Sequence, residues 1–134
     1  MISKSNRMKY QKVQLGKLSK IEPKSHVLKF GIVGLKAIES GVLNSSQIES
    51  ARQAINRKIK RKGKIWVTIF PNFPITSKPT GTRMGKGKGN VKYFATKIAS
   101  GRVLFEVCGS NLNMAIAALK IGGTKLPIKT KIFS

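Results

Sequence analysis

Only four residues in this chain are acidic, all of them glutamates, and they face 27 lysines and arginines. A body of 134 residues with a formal net charge of +23 cannot neutralise itself, so any compact form is repelled by its own surface. Such a chain needs a polyanion to share the load. Nucleic acid fits best, because counterions released from its phosphates drive binding by many separated cations.

The same imbalance narrows the chemistry. Glu22, Glu39, Glu49, Glu106 and His26 are scattered without a pairing motif, whereas general acid–base catalysis needs positioned groups with tuned pKa values. The chain therefore reads as a non-enzyme. Cys108 is the sole cysteine, which excludes an internal disulfide and makes a reducing compartment the simple reading. Together with His26 it falls short of the ~4 ligands of a structural zinc site, so neither metal nor cofactor is expected. No apolar run reaches the ~18–20 residues of a membrane span. The basic, acid-free N-terminus has no apolar stretch of the kind a secretory signal requires. Neither a membrane partner nor a homo-oligomer is expected.

The length fits one domain, and 40% apolar residues suffice for a core. Residues 1–26 read as a basic arm in which Arg7, Lys9, Lys12 and Lys17 are candidate RNA contacts, and residues 27–134 read as the folded body. Within the body, Val27–Val33 reads as a strand, with Leu35–Ile38 extending it beyond a bend at Gly34, and Gly41 begins a turn. A helix is expected over Gln47–Lys62, opened by a Ser46/Glu49 capping box and closed by Gly63. Ile48, Ala51, Ile55 and Ile59 form its apolar stripe. Arg52, Arg57, Lys58, Lys60, Arg61 and Lys62 crowd its other faces and its exit. One or two cations suffice to complement a helix dipole, so the excess reads as a phosphate-facing surface.

Ile65–Phe70 reads as a core strand in which Trp66 is taken as core in preference to a base-stacking aromatic, followed by a proline-punctuated stretch with a short strand near Ile75–Lys78. Val91–Ala99 and Val103–Val107 read as a hairpin about Ser100-Gly101. A second helix, Asn111–Ile121, presents Leu112, Ile116 and Leu119 on one face and stops at Gly122-Gly123. Ile128–Phe133 forms a last strand. The class is α+β: a single compact domain with a mixed sheet and two helices.

The most distinctive segment is Arg83-Met84-Gly85-Lys86-Gly87-Lys88-Gly89-Asn90. Glycines on alternate positions let the backbone turn with positive φ and approach another surface, leaving exposed amides between cations. The register of a phosphate-binding Walker loop is absent, and a dinucleotide fingerprint fails at Asn90, where its third glycine belongs.

Lys62-Gly63-Lys64-Ile65-Trp66-Val67, Pro74-Ile75-Thr76, Lys78-Pro79, the Arg83–Asn90 loop, Leu104-Phe105-Glu106 and Lys125-Leu126-Pro127-Ile128-Lys129-Thr130 closely resemble the large-subunit ribosomal protein sixteen family, bacterial and organellar type. The resemblance runs in order over about residues 27–133. It implies a non-enzymatic component of the large ribosomal subunit, with large-subunit rRNA, aminoacyl-site tRNA and neighbouring ribosomal proteins as partners. It further implies a position near the peptidyl-transferase centre, where the family supports tRNA accommodation and subunit assembly. On that reading Arg52, Arg57, Lys58, Arg61, Lys62, Lys64, Lys78 and Lys129 bind rRNA, and Arg83, Met84, Gly85, Lys86, Gly87, Lys88, Gly89 and Asn90 face rRNA and tRNA. In some bacterial relatives the arginine matching Arg83 is hydroxylated. The arm departs from the family pattern: Arg7-Met8-Lys9-Tyr10-Gln11-Lys12 and Gly16-Lys17 are thinner in arginine.

Lysine outnumbers arginine 21 to 6, the mark of an AT-rich gene, and the thinned arm pattern starts close to Met1. Both favour synthesis in the mitochondrial matrix, with plastid and bacterial cytoplasm as alternatives. A general nucleic-acid chaperone shares the charge without these motifs.

Overall fold

The computed structural model describes residues 11–16, 18, 21–22 and 27–134. Alternation sets the first strand: in β1 (Val33–Ala37), Val33, Leu35 and Ala37 are buried toward the helices. β2 (Gly41–Asn44) leads directly into α1 (Ser45–Lys58), followed by β3 (Lys64–Val67), β4 (Phe73–Ser77), β5 (Asn90–Ile98), β6 (Val103–Cys108), α2 (Leu112–Gly123) and β7 (Thr130–Phe133). The α+β class and the two helices are as expected, but the strands divide between two antiparallel sheets instead of joining one mixed sheet. One is ordered β3-β6-β1-β7 and the other β2-β5-β4.

The expected hairpin between the fifth and sixth strands does not form. β5 pairs with β2 and β4, whereas β6 pairs with β1 and β3. The Ser100-Gly101 turn carries the chain from one sheet to the other. Gly101, at φ +90°, donates its amide to the Ala37 carbonyl at 2.8 Å, and the Ala37 amide donates back to the Arg102 carbonyl at 2.9 Å. The end of β1 therefore captures the turn, and each strand finds its partners elsewhere.

Residues 27–32 are not a strand, because a side chain takes the amides of residues 29–31. Glu106 is almost wholly buried on β6, and its carboxylate accepts the amides of Lys29, Phe30 and Gly31 at 3.1, 2.7 and 2.8 Å. The segment folds over the outer face of the four-stranded sheet. Gly34 lies within β1 with no bend, because Leu28 and Phe133 press against it on that face. Gly41 likewise begins β2 and not a turn.

Ile48, Ala51, Ile55 and Ile59 are fully buried, as their spacing predicts. The ends of the helix differ from expectation. The N-cap is Asn44, whose amide donates to the Gln47 side chain at 2.9 Å, one box upstream of Ser46/Glu49. At the C-terminus the chain turns at Lys60, not Gly63. The Lys60 amide bonds the Arg57 carbonyl at 3.2 Å and the Arg61 amide bonds that of Asn56 at 3.3 Å, a Schellman closure. Gly63 is needed for a different reason: a Cβ there would lie 2.8 Å from the Cys108 carbonyl oxygen.

α2 continues through both glycines that were expected to stop it. A Cβ on Gly122 would sit 2.5 Å from Ile55, so this glycine lets α1 and α2 approach closely. The buried face is accordingly Ala115, Ala118, Leu119 and Gly122, while Leu112 and Ile116 are exposed.

Two stability outcomes follow from this packing. Glu106→Ala orphans three amides and should lower the unfolding free energy by about 3 kcal/mol. Gly122→Val forces the helices apart and should cost about 2 kcal/mol. Denaturant titration measures both, and wild-type midpoints would refute these roles.

Candidate nucleic-acid interface

The glycine–lysine loop is the tip of a projecting hairpin. Antiparallel pairing of β4 with β5 runs out to Ser77 opposite Asn90, so residues 78–89 leave the body from a rigid two-stranded base. Gly85 and Gly87 have φ of +96° and +76°, and a Cβ on either would touch nothing; they are needed for the turn. Gly89 plays a different part, pressed onto the backbone of Ser77, where a Cβ would lie 2.5 Å from the carbonyl oxygen. Arg83, Lys86 and Lys88 are exposed, and Met84 at the tip is 90% exposed.

Part of the arm lies along this hairpin. Lys88 donates from Nζ to the Val13 carbonyl at 2.7 Å, while Lys12 donates from Nζ to the Lys88 carbonyl at 3.1 Å. Lys97 on β5 donates to the Leu15 carbonyl, with its ammonium 4.1 Å from the centre of the Phe73 ring. Lys88 thus holds the arm, unlike its neighbour Lys86. Sequence reasoning missed Lys97, because its partner is a backbone carbonyl 82 residues away that no local pattern encodes. Of the arm residues put forward as RNA contacts, Lys12 is described, whereas Arg7, Lys9 and Lys17 lie outside the described residues.

A second cationic site forms where α1 ends. Lys60 and Arg61 both adopt left-handed backbone, φ +55° and +61°, a conformation that costs a non-glycine residue roughly 1 kcal/mol. With Gln53, Asn56 and Arg57 they line an open cleft of about 360 Å³. Lys58, Lys62 and Lys64 are exposed nearby in the chain. Buried Ile59 anchors the turn, so the two side chains are presented by a packed backbone, not by a flexible tail.

Two cations from the candidate set have acidic partners. Arg52 makes a bidentate pair with Glu49, at 3.0 and 2.7 Å, which holds the Glu49 carboxyl down at about 2. Lys129 meets Glu39 at 2.8 Å, an exposed pair in which the carboxyl is lowered and the ammonium raised. Arg102 pairs with Glu22 at 3.3 Å, and Glu106 serves backbone amides. All four acids are therefore occupied. Lys78 is half-buried at the foot of the hairpin.

Trp66, expected in the core, lies on the outer face of edge strand β3, opposite in alternation to core-packed Ile65 and Val67. It stacks on Phe30 with ring centres 6.1 Å apart and planes at 17°, and the Lys64 ammonium lies 5.2 Å from its ring centre. Among the described residues no group of three or more His, Cys, Asp or Glu can hold a metal, and no helix is long and apolar enough to cross a membrane. The arrangement is suited to gripping phosphates on several fronts, with a projecting loop between them.

The family model for ribosomal protein L16p/L10e matches residues 5–133. The large ribosomal subunit protein uL16 of Orientia tsutsugamushi (strain Boryong) is 46% identical over 126 residues, covering 94% of this chain and 93% of that protein. The protein of the same name from Bartonella quintana is 46% identical over 125 residues, covering 93% and 91%. That from Leptospira biflexa is 48% identical over 124 residues, covering 92% and 90%.

The Glu49–Arg52 pair has a defined pH signature. Because the carboxyl is depressed from 4.5 to about 2 in the folded chain, its stabilisation is present above pH 4.5 and drains away as pH falls toward 2. Solvent around the partly exposed guanidinium keeps the gain to about 0.5–1 kcal/mol. Thermal melts of Glu49→Gln should differ from wild type by that amount near neutrality and converge with it at the acid end of this window. A difference that grows in acid would contradict the assignment.

Proposed function

The chain belongs to the ribosomal protein L16p/L10e family, and from that premise we propose that it is a structural, non-enzymatic protein of the large ribosomal subunit. Its partners are large-subunit rRNA and neighbouring ribosomal proteins. It sits near the peptidyl-transferase centre, where the Arg83–Asn90 loop reaches toward aminoacyl-site tRNA and supports tRNA accommodation and subunit assembly. The observation that carries this reading is the loop itself: exposed Arg83, Met84 and Lys86 held at the tip of the β4–β5 hairpin, with residues 12–13 bonded to Lys88 beside it.

The mechanism is electrostatic clamping of folded RNA. A-form helices offer phosphates and 2′-hydroxyls to a cationic surface, while their deep major groove excludes side chains. Arg57, Lys58, Arg61, Lys62 and Lys64 act from one region of the chain and the hairpin loop from another, so that RNA neutralises the body from several directions. Arg52 keeps its second guanidinium edge, and Lys129 its remaining ammonium protons, for phosphate beside their glutamate partners; Lys78, Arg7, Lys9, Lys12 and Lys17 complete the set. The lysine-for-arginine bias supports synthesis in a mitochondrion, which detection of the gene in nuclear DNA would overturn.

Lys86→Ala should leave the thermal midpoint of the chain unchanged, since the side chain is exposed on a loop. It should reduce the slope of log K against log salt for rRNA fragments by about 0.7–0.9 per lost phosphate contact. Large subunits carrying the variant should accommodate aminoacyl-tRNA more slowly. Fully active subunits with an unchanged salt slope would sink the assignment, as would a wild-type chain that spreads over many RNAs instead of co-sedimenting stoichiometrically with large subunits.

A further inference from the structure

The outer face of the four-stranded sheet carries a feature that phosphate clamping does not use. Phe30 is 59% exposed although one side of its ring is stacked on Trp66, and the backbone that presents it is tied down by the buried Glu106 carboxylate. Beside it opens a cleft of about 340 Å³, walled by Val27, Phe30 and Val103 and edged by Lys29, Arg102 and Glu22. That size falls in the range of small-ligand sites. The local charge is unusual for this chain. Arg102 is paired with Glu22 at 3.3 Å, and Lys29 and Glu106 also line the cleft, so among its described residues two cations meet two carboxylates on a protein whose net charge is +23. A balanced, aromatic-walled recess suits the flat, uncharged part of a nucleotide better than its phosphate.

We propose that this cleft receives one unpaired nucleobase of RNA, stacked against Phe30, with Lys29 meeting the adjoining phosphate. The inference rests on the RNA-binding reading above and adds a class of ligand to it: an extruded base, not a duplex backbone. Unstacked bases are the features of RNA that aromatic side chains recognise, and stacking is tolerant of base identity because each base has a π face. The Glu22 carboxylate, oriented by Arg102, supplies an acceptor for an amino or imino group on the base edge. Trp66 backs the platform and holds the Phe30 ring in place. An aromatic side chain of a neighbouring protein is the alternative occupant, and the charge of this chain favours RNA over it.

The test uses the full chain with a single-stranded oligoribonucleotide, an abasic strand bearing the same phosphates, and a duplex of the same sequence. The wild type should prefer the base-bearing strand to the abasic one by about 10-fold, a typical contribution of one stacked base. Phe30→Leu, which keeps apolar bulk but loses the π face, should bind both strands equally, and Phe30→Tyr should restore the preference. Equal binding of the two strands by the wild type, or a preference that survives in Phe30→Leu, overturns the proposal. So does loss of a neighbouring protein from large subunits carrying Phe30→Leu while the base preference stays intact, which would give the cleft to a protein. Duplex binding with a steep salt dependence is the separate readout of the clamping function. If it persists without any base preference, only the cleft assignment fails.

Discussion

The fold depends on how four carboxylates are used by a chain with 27 cations. Three are spent pairwise, on Arg52, Lys129 and Arg102. The fourth, Glu106, is buried beneath the outer face of the sheet, where it organises backbone instead of a cation. A buried carboxylate is tolerated only when its lone pairs are satisfied, and three amides of one short segment do that. This interaction converts residues 29–31 from a prospective strand into a strap, exposes Phe30 and leaves Val33 as the first strand residue. Without it the outer face would lose its cover and the aromatic platform its support.

The remaining positive charge is left to an external partner. It is distributed over structurally different supports: a packed helix exit at Lys60 and Arg61, a rigid hairpin tip at Arg83 and Lys86, and Lys12 on the described part of the arm beside that hairpin. Two lysines, Lys12 and Lys88, cross reciprocally onto each other's segments despite like charge. Such proximity is costly in isolation and becomes favourable when phosphates lie beside it. The structure is therefore that of a component whose electrostatics are completed by its assembly. The left-handed backbone at Lys60 and Arg61 is consistent with this, since glycine would serve the Schellman turn at lower cost but would carry no charge.

Much of the plan was legible in the residues. The stripe Ile48, Ala51, Ile55 and Ile59 is local periodicity and predicted its own burial. The loop at residues 83–90 was legible because alternate glycines and cations are a local pattern with a local consequence. The errors share one cause. The Ser-Gly turn between the fifth and sixth strands favours a hairpin locally, yet strand partners are chosen by distant segments, and Ala37 captures that turn. Gly63 and Gly122-Gly123 looked like stop signals, whereas Gly63 and Gly122 are spaces left for Cys108 and Ile55. Trp66 looked like core because it stands in an apolar run; strand alternation and an edge position put it outside.

By itself the sequence determined that this protein is a small α+β body, that its charge requires a polyanion, and that its glycine–lysine loop is exposed. These properties follow from composition and from patterns that repeat within a few residues. Only the tertiary structure decided which glutamate would be buried, which lysines would hold the arm and which would face outward, and that Phe30 and Trp66 would stack. Each of these joins positions tens of residues apart, and what selects such a pairing is the packing of the whole body, where burying a polar group without its partner costs more than any local preference gains.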